Sequence, residues 1–302
     1  MDDPRRLRRL PIDRIDWAAS VFLSGCALLS VSVVPAFIHA NRDNPAIDWG
    51  WVAAVFAGYY VATGLSITLG YHRLFSHRAF VASRPVRALT LLLGSGAFEN
   101  SCLEWAGEHR RHHDEEDRDA GAHDGRRGLL ATLVSPGLIK LKPVLPFTNV
   151  ADLEADPLVM AQYRHVHLLG ALVSFGAPFA AGYALGGPDM AWAMLLVAGV
   201  LRVTAMRLCA FLIHRVCHSL GRRPYSASTS GRDNALCALF TFGEGYHNFH
   251  HAFQRDYRNG VKWWQFDPTK WLIRALALVG LARDLHRTPD EAIRAAEREA
   301  AS

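Results

Sequence analysis

Two long stretches without a charged side chain constrain the fold of this 302-residue chain more than any other feature. Residues 17–38 and residues 49–70 contain no Asp, Glu, Lys or Arg. The hydrocarbon core of a bilayer is ~30 Å thick, and a helix needs ~20 apolar residues to cross it. Both stretches are therefore predicted to span a membrane. The first is longer than the ~7–15-residue apolar core of a signal peptide, so we interpret it as a permanent helix.

Two more apolar stretches follow in the second half of the chain. Residues 168–187 are uncharged, whereas residues 188–213 are interrupted by Asp189, Arg202 and Arg207. Such arginines would have to face protein, water or the membrane interface. We therefore predict an all-α integral membrane protein with four transmembrane helices in two hairpins, at about 17–38, 49–70, 166–187 and 190–213.

The distribution of positive charge predicts how the chain is oriented. The net charge is +5, and four arginines at positions 5, 6, 8 and 9 directly precede the first stretch. Between the first two stretches Arg42 is the single Lys or Arg. Because cytoplasmic loops carry an excess of Lys and Arg, we expect both termini in the cytosol. A cytosolic helical cap would comprise residues 71–165 and 214–302, in one domain covering residues 1–302.

This interpretation assigns the positive charge to membrane topology and predicts no nucleic-acid partner. A multi-pass protein of this kind would lie in the inner membrane of a bacterium or in the endoplasmic reticulum of a eukaryote. The lipid bilayer is then its first predicted partner.

Nine of the fifteen histidines fall in tight groups within the predicted cytosolic regions. Imidazole binds zinc, copper, iron and nickel. One closed zinc site takes about four ligands, so nine histidines suffice for two metals with open positions. The candidate metal ligands are His72, His77, His109, His112, His113, His218, His247, His250 and His251.

The spacing of these histidines predicts how helices would present them. Residues 109–113 and 247–251 share the pattern HxxHH, and positions i, i+3 and i+4 lie on one face of a helix. Two such helices could direct six imidazoles into a common cavity. His72 and His77 are five residues apart, roughly 140° around an ideal α-helix, so they cannot share an α-helical face. Either they bind different metals or the helix end unwinds between them.

The three histidine segments, "HRLFSH", "HRRHH" and "GEGYHNFHH", resemble the histidine boxes of the membrane-bound fatty acyl-CoA desaturases of the stearoyl-CoA (Δ9) type. Two further segments, "DLEADPLVMAQYRH" (152–165) and "NGVKWWQFDPTKWLI" (259–273), are also similar to that family. The resemblance covers nearly the whole chain. It implies four membrane helices, a cytosolic cap, a histidine-ligated di-iron centre, and oxygen-dependent insertion of a cis double bond at Δ9 of a saturated acyl-CoA.

The chemistry of that reaction explains a site made of metal ligands alone. An unactivated methylene has no acidic proton for a side-chain base, so we expect no catalytic residue beyond the metal centre, where a redox metal supplies the difficult step. Two iron ions are the expected cofactors, with zinc as a misincorporated metal. Ligating histidines usually donate their second N–H to an acceptor. The carboxylates near the histidine groups in sequence are Glu104, Glu108, Asp114, Glu115, Asp117, Asp119 and Glu244.

The chain departs from the family pattern at two places. The family usually has Asn four residues before the position of His218, and this chain has His214 there. His214 is therefore a further candidate ligand, acting directly or through water, or it turns away to bind a neighbour. After the second histidine segment the family often has Asp-Pro-His, where this chain has Gly-Ala-His at residues 121–123.

The substrate-binding candidates are carried over from the same resemblance. Trp105 precedes His109 by one helical turn and could line an acyl tunnel or be an ordinary core tryptophan. Lys140 and Lys142 match a stretch that contacts coenzyme A phosphates in the family, or they are ordinary interface lysines. Asn100 is a further substrate-binding candidate.

The expected partners are fatty acyl-CoA, O2 and a separate electron donor: a ferredoxin, cytochrome b5 or a flavin reductase. No haem-binding HPGG segment is present, and "GEGYHN" lacks the third glycine of a dinucleotide-binding fingerprint. Two alternatives remain within oxidoreductases, an acyl-lipid desaturase and a di-iron lipid hydroxylase. A non-catalytic metal transporter would instead place ionisable residues at mid-membrane depth.

Overall fold

The computed structural model describes residues 12–118 and 139–301, with residues 115–118 described by their backbone alone. Several predictions concern positions outside the described residues: the arginines at 5–9, Asp119, the 121–123 departure, and the side chains of Glu115 and Asp117. Within the described part the protein is mostly helical, as predicted.

Residues 12–118 contain five α-helices: α1 (Trp17–Val31), α2 (Val33–Asn41), α3 (Trp49–Leu65), α4 (Arg84–Ser95) and α5 (Cys102–Arg118). A short 3-10 turn at Ile12–Arg14 precedes them, and α3 continues as a π-helix over Ser66–Ser76. The side chains of Asp16 and Asp48 cap α1 and α3 by accepting hydrogen bonds from backbone N–H groups. Such caps satisfy donors that the first turn leaves unpaired.

The described residues 139–301 contain nine α-helices: α6 (Ala151–Glu154), α7 (Pro157–Ala171), α8 (Ala177–Met194), α9 (Arg202–Phe211), α10 (Cys217–Ser219), α11 (Ala235–Phe240), α12 (His247–Ala252), α13 (Pro268–Leu278) and α14 (Asp290–Ala301). Short π-helical segments at Leu172–Gly176, Leu195–Leu201 and Leu212–Val216 join α7 to α10. The structure also has one feature that an all-α prediction misses, an antiparallel ribbon of two residues per strand: β1 (Val81–Ala82) and β2 (Ala282–Arg283).

Three helical segments of the described residues are long and apolar enough to cross a membrane: Trp17–Asn41, Trp49–Ser76 and Pro157–Ser219. The predicted spans 17–38 and 49–70 lie in the first two. The second helix extends six residues beyond its predicted end at residue 70, so that it carries His72. The predicted spans 166–187 and 190–213 both lie in the third segment, which is 63 residues long.

The third segment folds back on itself at Gly186 and Gly187. Both have non-helical backbone angles, and Gly187 has a φ of +75°, a conformation that glycine adopts without a steric penalty. The two arms then lie side by side. A Cβ atom on Gly182 would lie 2.6 Å from the carbonyl oxygen of Met190, and one on Gly199 would lie 2.8 Å from that of Ser174. Small residues thus permit close contact of two antiparallel arms.

Arg202 joins these arms to the rest of the protein. Its side chain is completely buried, and its guanidinium donates to the carbonyl oxygens of Ala198 and Gly96 and to Ser174 Oγ. A buried cation needs such partners because its desolvation is costly. Of the three environments expected for this arginine, which were protein, water and the membrane interface, the structure shows protein.

The largest core lies where the Ser66–Ser76 π-helix meets α4, α5 and α13. Leu69, Tyr71, Ala106 and Ile273 are almost completely buried there. This core fixes the end of the second membrane-length helix against the segments that carry histidines.

Candidate metal centre

His72 and His77 lie on the same side of their helix, contrary to the α-helical expectation. The helix is π-type here, and His77 N–H donates to the carbonyl oxygen of His72, five residues earlier, at 3.1 Å. Such i to i+5 bonding defines a π-helix. Residues five apart therefore come close, and the two ring centroids are 4.8 Å apart. The α-helical expectation was wrong because it assumed 3.6 residues per turn.

The second histidine segment is held against the first by Arg110. Its guanidinium donates to the carbonyl oxygens of Phe75 and Ser76, at 2.7 and 2.9 Å, and forms an ion pair with Asp152 at 2.8 Å. The carbonyl groups at the end of the π-helix are thereby satisfied. Because α5 carries Arg110 next to His109, this contact also fixes the position of its histidines.

The third histidine segment is α12, a helix of only six residues. Asp233 stabilises its first turn, because its Oδ1 accepts from the backbone N–H of Asn248 and of Phe249, at 2.8 and 3.1 Å. Asn248 is completely buried, and its amide oxygen accepts from Tyr225 N–H at 2.8 Å. A short helix that is bonded on both sides can present its histidines in fixed directions.

The structure brings all nine predicted histidines into two groups. The first group has five members, His72, His77, His109, His113 and His250, and the second has four members, His112, His218, His247 and His251. Within each group, one ring nitrogen from every member lies within 4.8 Å of the others. The residues come from all three histidine segments and from α10.

In the first group the Nε2 atoms converge. Consecutive Nε2–Nε2 distances are 2.8 Å for His77–His109, 3.1 Å for His109–His113, 2.9 Å for His113–His250 and 3.0 Å for His250–His72. With metal–nitrogen bonds of ~2.1 Å, neighbouring ligands would be ~3.0 Å apart at right angles and ~3.4 Å apart in a tetrahedron. The observed spacing fits a single metal ion that these five imidazoles would hold together.

The second group has the same spacing with fewer members. Nε2 of His247 lies 2.9 Å from that of His218 and 3.1 Å from that of His251. The ring of His112 is 5.5 Å from the ring of His218, centroid to centroid. The donor set is again imidazole nitrogen, which suits iron, zinc, copper and nickel.

His214 lies near the second group without belonging to its four members. It lines the same cavity as His112 and His247. Its charge contributes to lowering the pKa of His247, after burial and the charges of His251 and His112. The expectation that His214 takes part in a metal site stays a prediction.

Glu244 binds the far side of His72. Its Oε2 lies 2.7 Å from His72 Nδ1, and its Oε1 accepts from Arg73 at 3.0 Å. Asn259 Nδ2 also donates to Oε2 at 2.9 Å. A carboxylate at Nδ1 makes that nitrogen the donor and leaves Nε2 with a lone pair for a metal. On the second group, Ser230 Oγ lies 2.6 Å from Nδ1 of His218.

Glu244 is the one of the expected carboxylates that contacts a ring nitrogen in the described residues. Glu104 instead accepts from the N–H and hydroxyl of Ser101 at the start of α5, and Glu108 pairs with Arg111 at 3.4 Å. Asp114 is exposed. No sequence pattern distinguishes Glu244 from the other carboxylates, since its contact with His72 joins residues far apart along the chain.

The pKa values of the buried histidines favour neutral rings. Burial, followed by the charges of neighbouring histidines, lowers the pKa of His77, His109, His113, His247, His250 and His251 well below the usual value. Burial raises the pKa of Glu244, but the charges of His72 and Arg73 outweigh it and lower that pKa. Metal binding requires deprotonated histidine, so this environment favours it.

A largely apolar cavity borders both groups. Its walls include Ile67, Met206, Ala210, Ile213 and Phe242, together with His72, His109, His112 and His247. Trp105 also lines it, and its assignment to an acyl tunnel stays a prediction. The Trp105 ring stacks on that of His109, with centroids 4.6 Å apart, and its Nε1 donates to Glu99 at 3.1 Å.

The other three substrate-binding candidates are absent from the described residues that line this cavity. Lys140 donates from Nζ to the carbonyl oxygen of Phe98 at 3.0 Å, and burial, then the charge of Arg207, lowers its pKa to about 8. Lys142 is exposed, and Asn100 is half-buried with a φ of +73°. Their assignment to substrate stays a prediction.

Comparison with known proteins gives one consistent result. The family model described as fatty acid desaturase matches residues 49–285. The chain is 39% identical over 241 residues to acyl-CoA desaturase 1 of Saccharomyces cerevisiae, covering 78% of this chain and 46% of that protein. It is 34% identical over 286 residues to stearoyl-CoA desaturase 5 of Homo sapiens, covering 93% and 84%. The chain spans about half the length of this Saccharomyces cerevisiae protein and of the probable acyl-CoA desaturase of Schizosaccharomyces pombe.

Proposed function

The chain belongs to the fatty acid desaturase family, and from this premise we propose that it is an oxygen-dependent fatty acyl-CoA desaturase with a histidine-ligated di-iron centre. The observation that carries the proposal is the pair of histidine groups beside an apolar cavity. Nine imidazoles could hold two transition metals with open coordination positions. The cavity could hold an acyl chain next to them.

Iron held by these groups would supply the redox chemistry needed to remove hydrogen from an unactivated methylene with O2 as oxidant. The protein contributes position and exclusion of water. Glu244 fixes the orientation of His72, and Ser230 contacts His218. Trp105 forms a flat apolar wall against His109, which would keep a bound methylene close to the first group. No side-chain acid or base is required at the reacting carbon.

The finer assignments follow from the relatives and the resemblance. We propose a saturated acyl-CoA as substrate and a cis double bond at Δ9. The names of the relatives, acyl-CoA desaturase and stearoyl-CoA desaturase, support the substrate class. Lys140 and Lys142 are proposed to contact the coenzyme A phosphates, and Asn100 the substrate. Electrons would come from a separate ferredoxin, cytochrome b5 or flavin reductase.

We also propose four membrane spans in two hairpins, with cytosolic termini and a cytosolic cap. The reversal at Gly186–Gly187 supports this, because it divides the 63-residue segment into two antiparallel arms. The two histidine groups would then lie at the cytosolic end of the helix pairs, where a cytosolic electron donor could approach.

Expression in a host that lacks its own acyl-CoA desaturase tests the proposal. Mass spectrometry of the fatty acids should reveal a new monounsaturated product, with the double bond at Δ9. The matched control is the His250→Ala chain at equal abundance, which should give none. A hydroxylated fatty acid in place of the monounsaturated one would show that the protein is a lipid hydroxylase and not a desaturase. An unchanged fatty-acid profile with metal-loaded protein in the membrane would contradict an oxidative function.

A further inference from the structure

The α13 helix has one buried face and one exposed apolar face. Thr269, Lys270 and Ile273 point into the protein. On the other side Trp271 is 47% exposed, Leu278 80% and the following Val279 69%. Phe266 packs edge-on against Trp271, with ring centroids 5.5 Å apart. We call the surface formed by Phe266, Trp271, Leu278 and Val279 the α13 face. Clustered apolar side chains of this size are unusual on a surface that meets only water.

The α13 face begins beside the second membrane-length helix. Thr269 Oγ1 lies 2.7 Å from Thr68 Oγ1 of that helix and also donates to the carbonyl oxygen of Phe242 at 2.9 Å. Nearby, the hydroxyl of Tyr60 in the same helix donates to the carbonyl oxygen of Phe240 at 2.9 Å. Helices α11 and α13 therefore both adjoin the stretch of this helix that precedes His72.

The exposed apolar surface continues around this helix end. In α11, Leu236, Leu239 and Phe240 are all exposed by half or more. At the other end of α13, Leu281 accepts a hydrogen bond from Ser83 N–H at 2.9 Å, directly before α4. Helix α4 in turn exposes Leu89 and Leu92. Exposed apolar side chains thus extend from α11 and α13 to α4.

We propose that the α13 face lies in the headgroup–acyl boundary of the same bilayer that the long helices cross, as an interfacial helix beside them. The continuity of its apolar surface with the membrane-length helix identifies lipid as the occupant. An amphipathic helix in the boundary immerses its apolar face by ~5–10 Å, and tryptophan is enriched at that depth. Arg274, exposed on α13, would reach the lipid phosphates. The inference rests on the proposed membrane insertion.

The helix that contacts lipid is also tied to the first histidine group. Asp267 caps α13 by accepting from Lys270 N–H at 2.9 Å, and its carboxylate pairs with Arg73 at 3.0 Å. Arg73 binds Glu244, which binds His72. Three consecutive buried contacts therefore connect the start of α13 to a predicted metal ligand. The bilayer would thus help to fix the segment that positions His72.

Site-directed spin labelling in lipid nanodiscs tests the proposal, because collision rates with O2 and with a water-soluble nickel chelate report depth. The five native cysteines are all buried, so the unmodified chain measures background labelling. Leu278→Cys is the test position, and Val279→Cys repeats it. Leu28→Cys, exposed on the first membrane-length helix, is the lipid control. Ala295→Cys, exposed on α14, is the water control.

We expect nickel-chelate collisions at Leu278→Cys to be at least about threefold less frequent than at Ala295→Cys. Collisions with O2 should be enhanced toward the value at Leu28→Cys. If the Leu278 and Val279 labels behave like Ala295 while Leu28 reports lipid, the interfacial helix is overturned and the membrane insertion stands. If Leu28 itself reports water, the proposed membrane insertion fails as well.

Discussion

The two histidine groups have similar nitrogen spacing but differ in what supports them. The first group has five members, all buried except the half-buried His109, and its His72 is held by a network of Glu244, Arg73 and Asp267. The second has four members, of which His112 and His218 are only half-buried. Among the contacts seen in the described residues, Nδ1 of His218 faces the hydroxyl of Ser230, whereas Nδ1 of His72 faces the carboxylate of Glu244.

This difference indicates that the surroundings of each group set how strongly its imidazole nitrogens bind a metal. A buried carboxylate both orients a ligating imidazole and raises its basicity. A hydroxyl also orients the imidazole but raises its basicity little. We therefore expect changes around the first group to have the larger effects.

Removing a member of the first group gives the largest expected effect. His250 is almost completely buried, and its Nε2 lies close to those of both His72 and His113. His250→Ala should lower desaturation by more than ~100-fold, since even residues that support ligands contribute 10–100-fold. Product formation and iron per chain are the measurements. Full activity with two irons per chain in this variant would remove His250 from the site.

Removing the charge of Glu244 should have the next largest effect. Glu244→Gln keeps the shape but removes the carboxylate that faces His72 and Arg73, so metal affinity or activity should fall by ~10–100-fold. Glu108→Gln is the matched control, because Glu108 pairs with Arg111 on α5. Titration with cobalt, followed by its visible spectrum, separates weaker binding from misfolding. Equal cobalt affinity in both variants would contradict the role of Glu244.

The corresponding change at the second group should be milder. Ser230→Ala removes the hydroxyl next to His218 Nδ1, and we expect a loss of up to ~10-fold in metal affinity at one of two sites. Ser228→Ala is the control, since Ser228 is exposed and contacts Ser226. If Ser230→Ala lowers metal affinity more than Glu244→Gln does, the second group depends more on its supporting contact than the first, contrary to this prediction.

The smallest expected effect concerns His214, compared as His214→Asn and His214→Ala. Asparagine can keep a water-mediated contact that alanine cannot, so His214→Asn should retain more iron in the second group than His214→Ala. Iron per chain and turnover are measured on both. Wild-type values in both variants would place His214 outside the metal site.

The sequence predicted much of the fold because its signals are local. Uncharged runs located the apolar segments, and the HxxHH spacing located the faces of α5 and α12. The close approach of His72 and His77 could not be predicted from their spacing. That prediction assumed an α-helix, whereas the segment is a π-helix, in which residues five apart come close.

The supporting residues were harder to predict for a different reason. The contact between His72 and Glu244 joins two segments that are 172 positions apart, since 244 minus 72 is 172. Arg73 gave one usable signal: it is a charge inside an otherwise apolar helix end, and such a residue needs a buried partner. That signal indicates that a carboxylate is nearby without identifying it.

The nine histidines are proposed to hold two metals, and iron quantification on the fully reconstituted chain in nanodiscs tests this most directly. Wild-type protein, loaded anaerobically with excess ferrous iron and then freed of unbound metal, should retain two irons per chain. His250→Ala and His251→Ala should each retain about one, because they disrupt different groups. Retention of one iron or fewer by correctly folded wild-type protein at saturating iron would contradict the account.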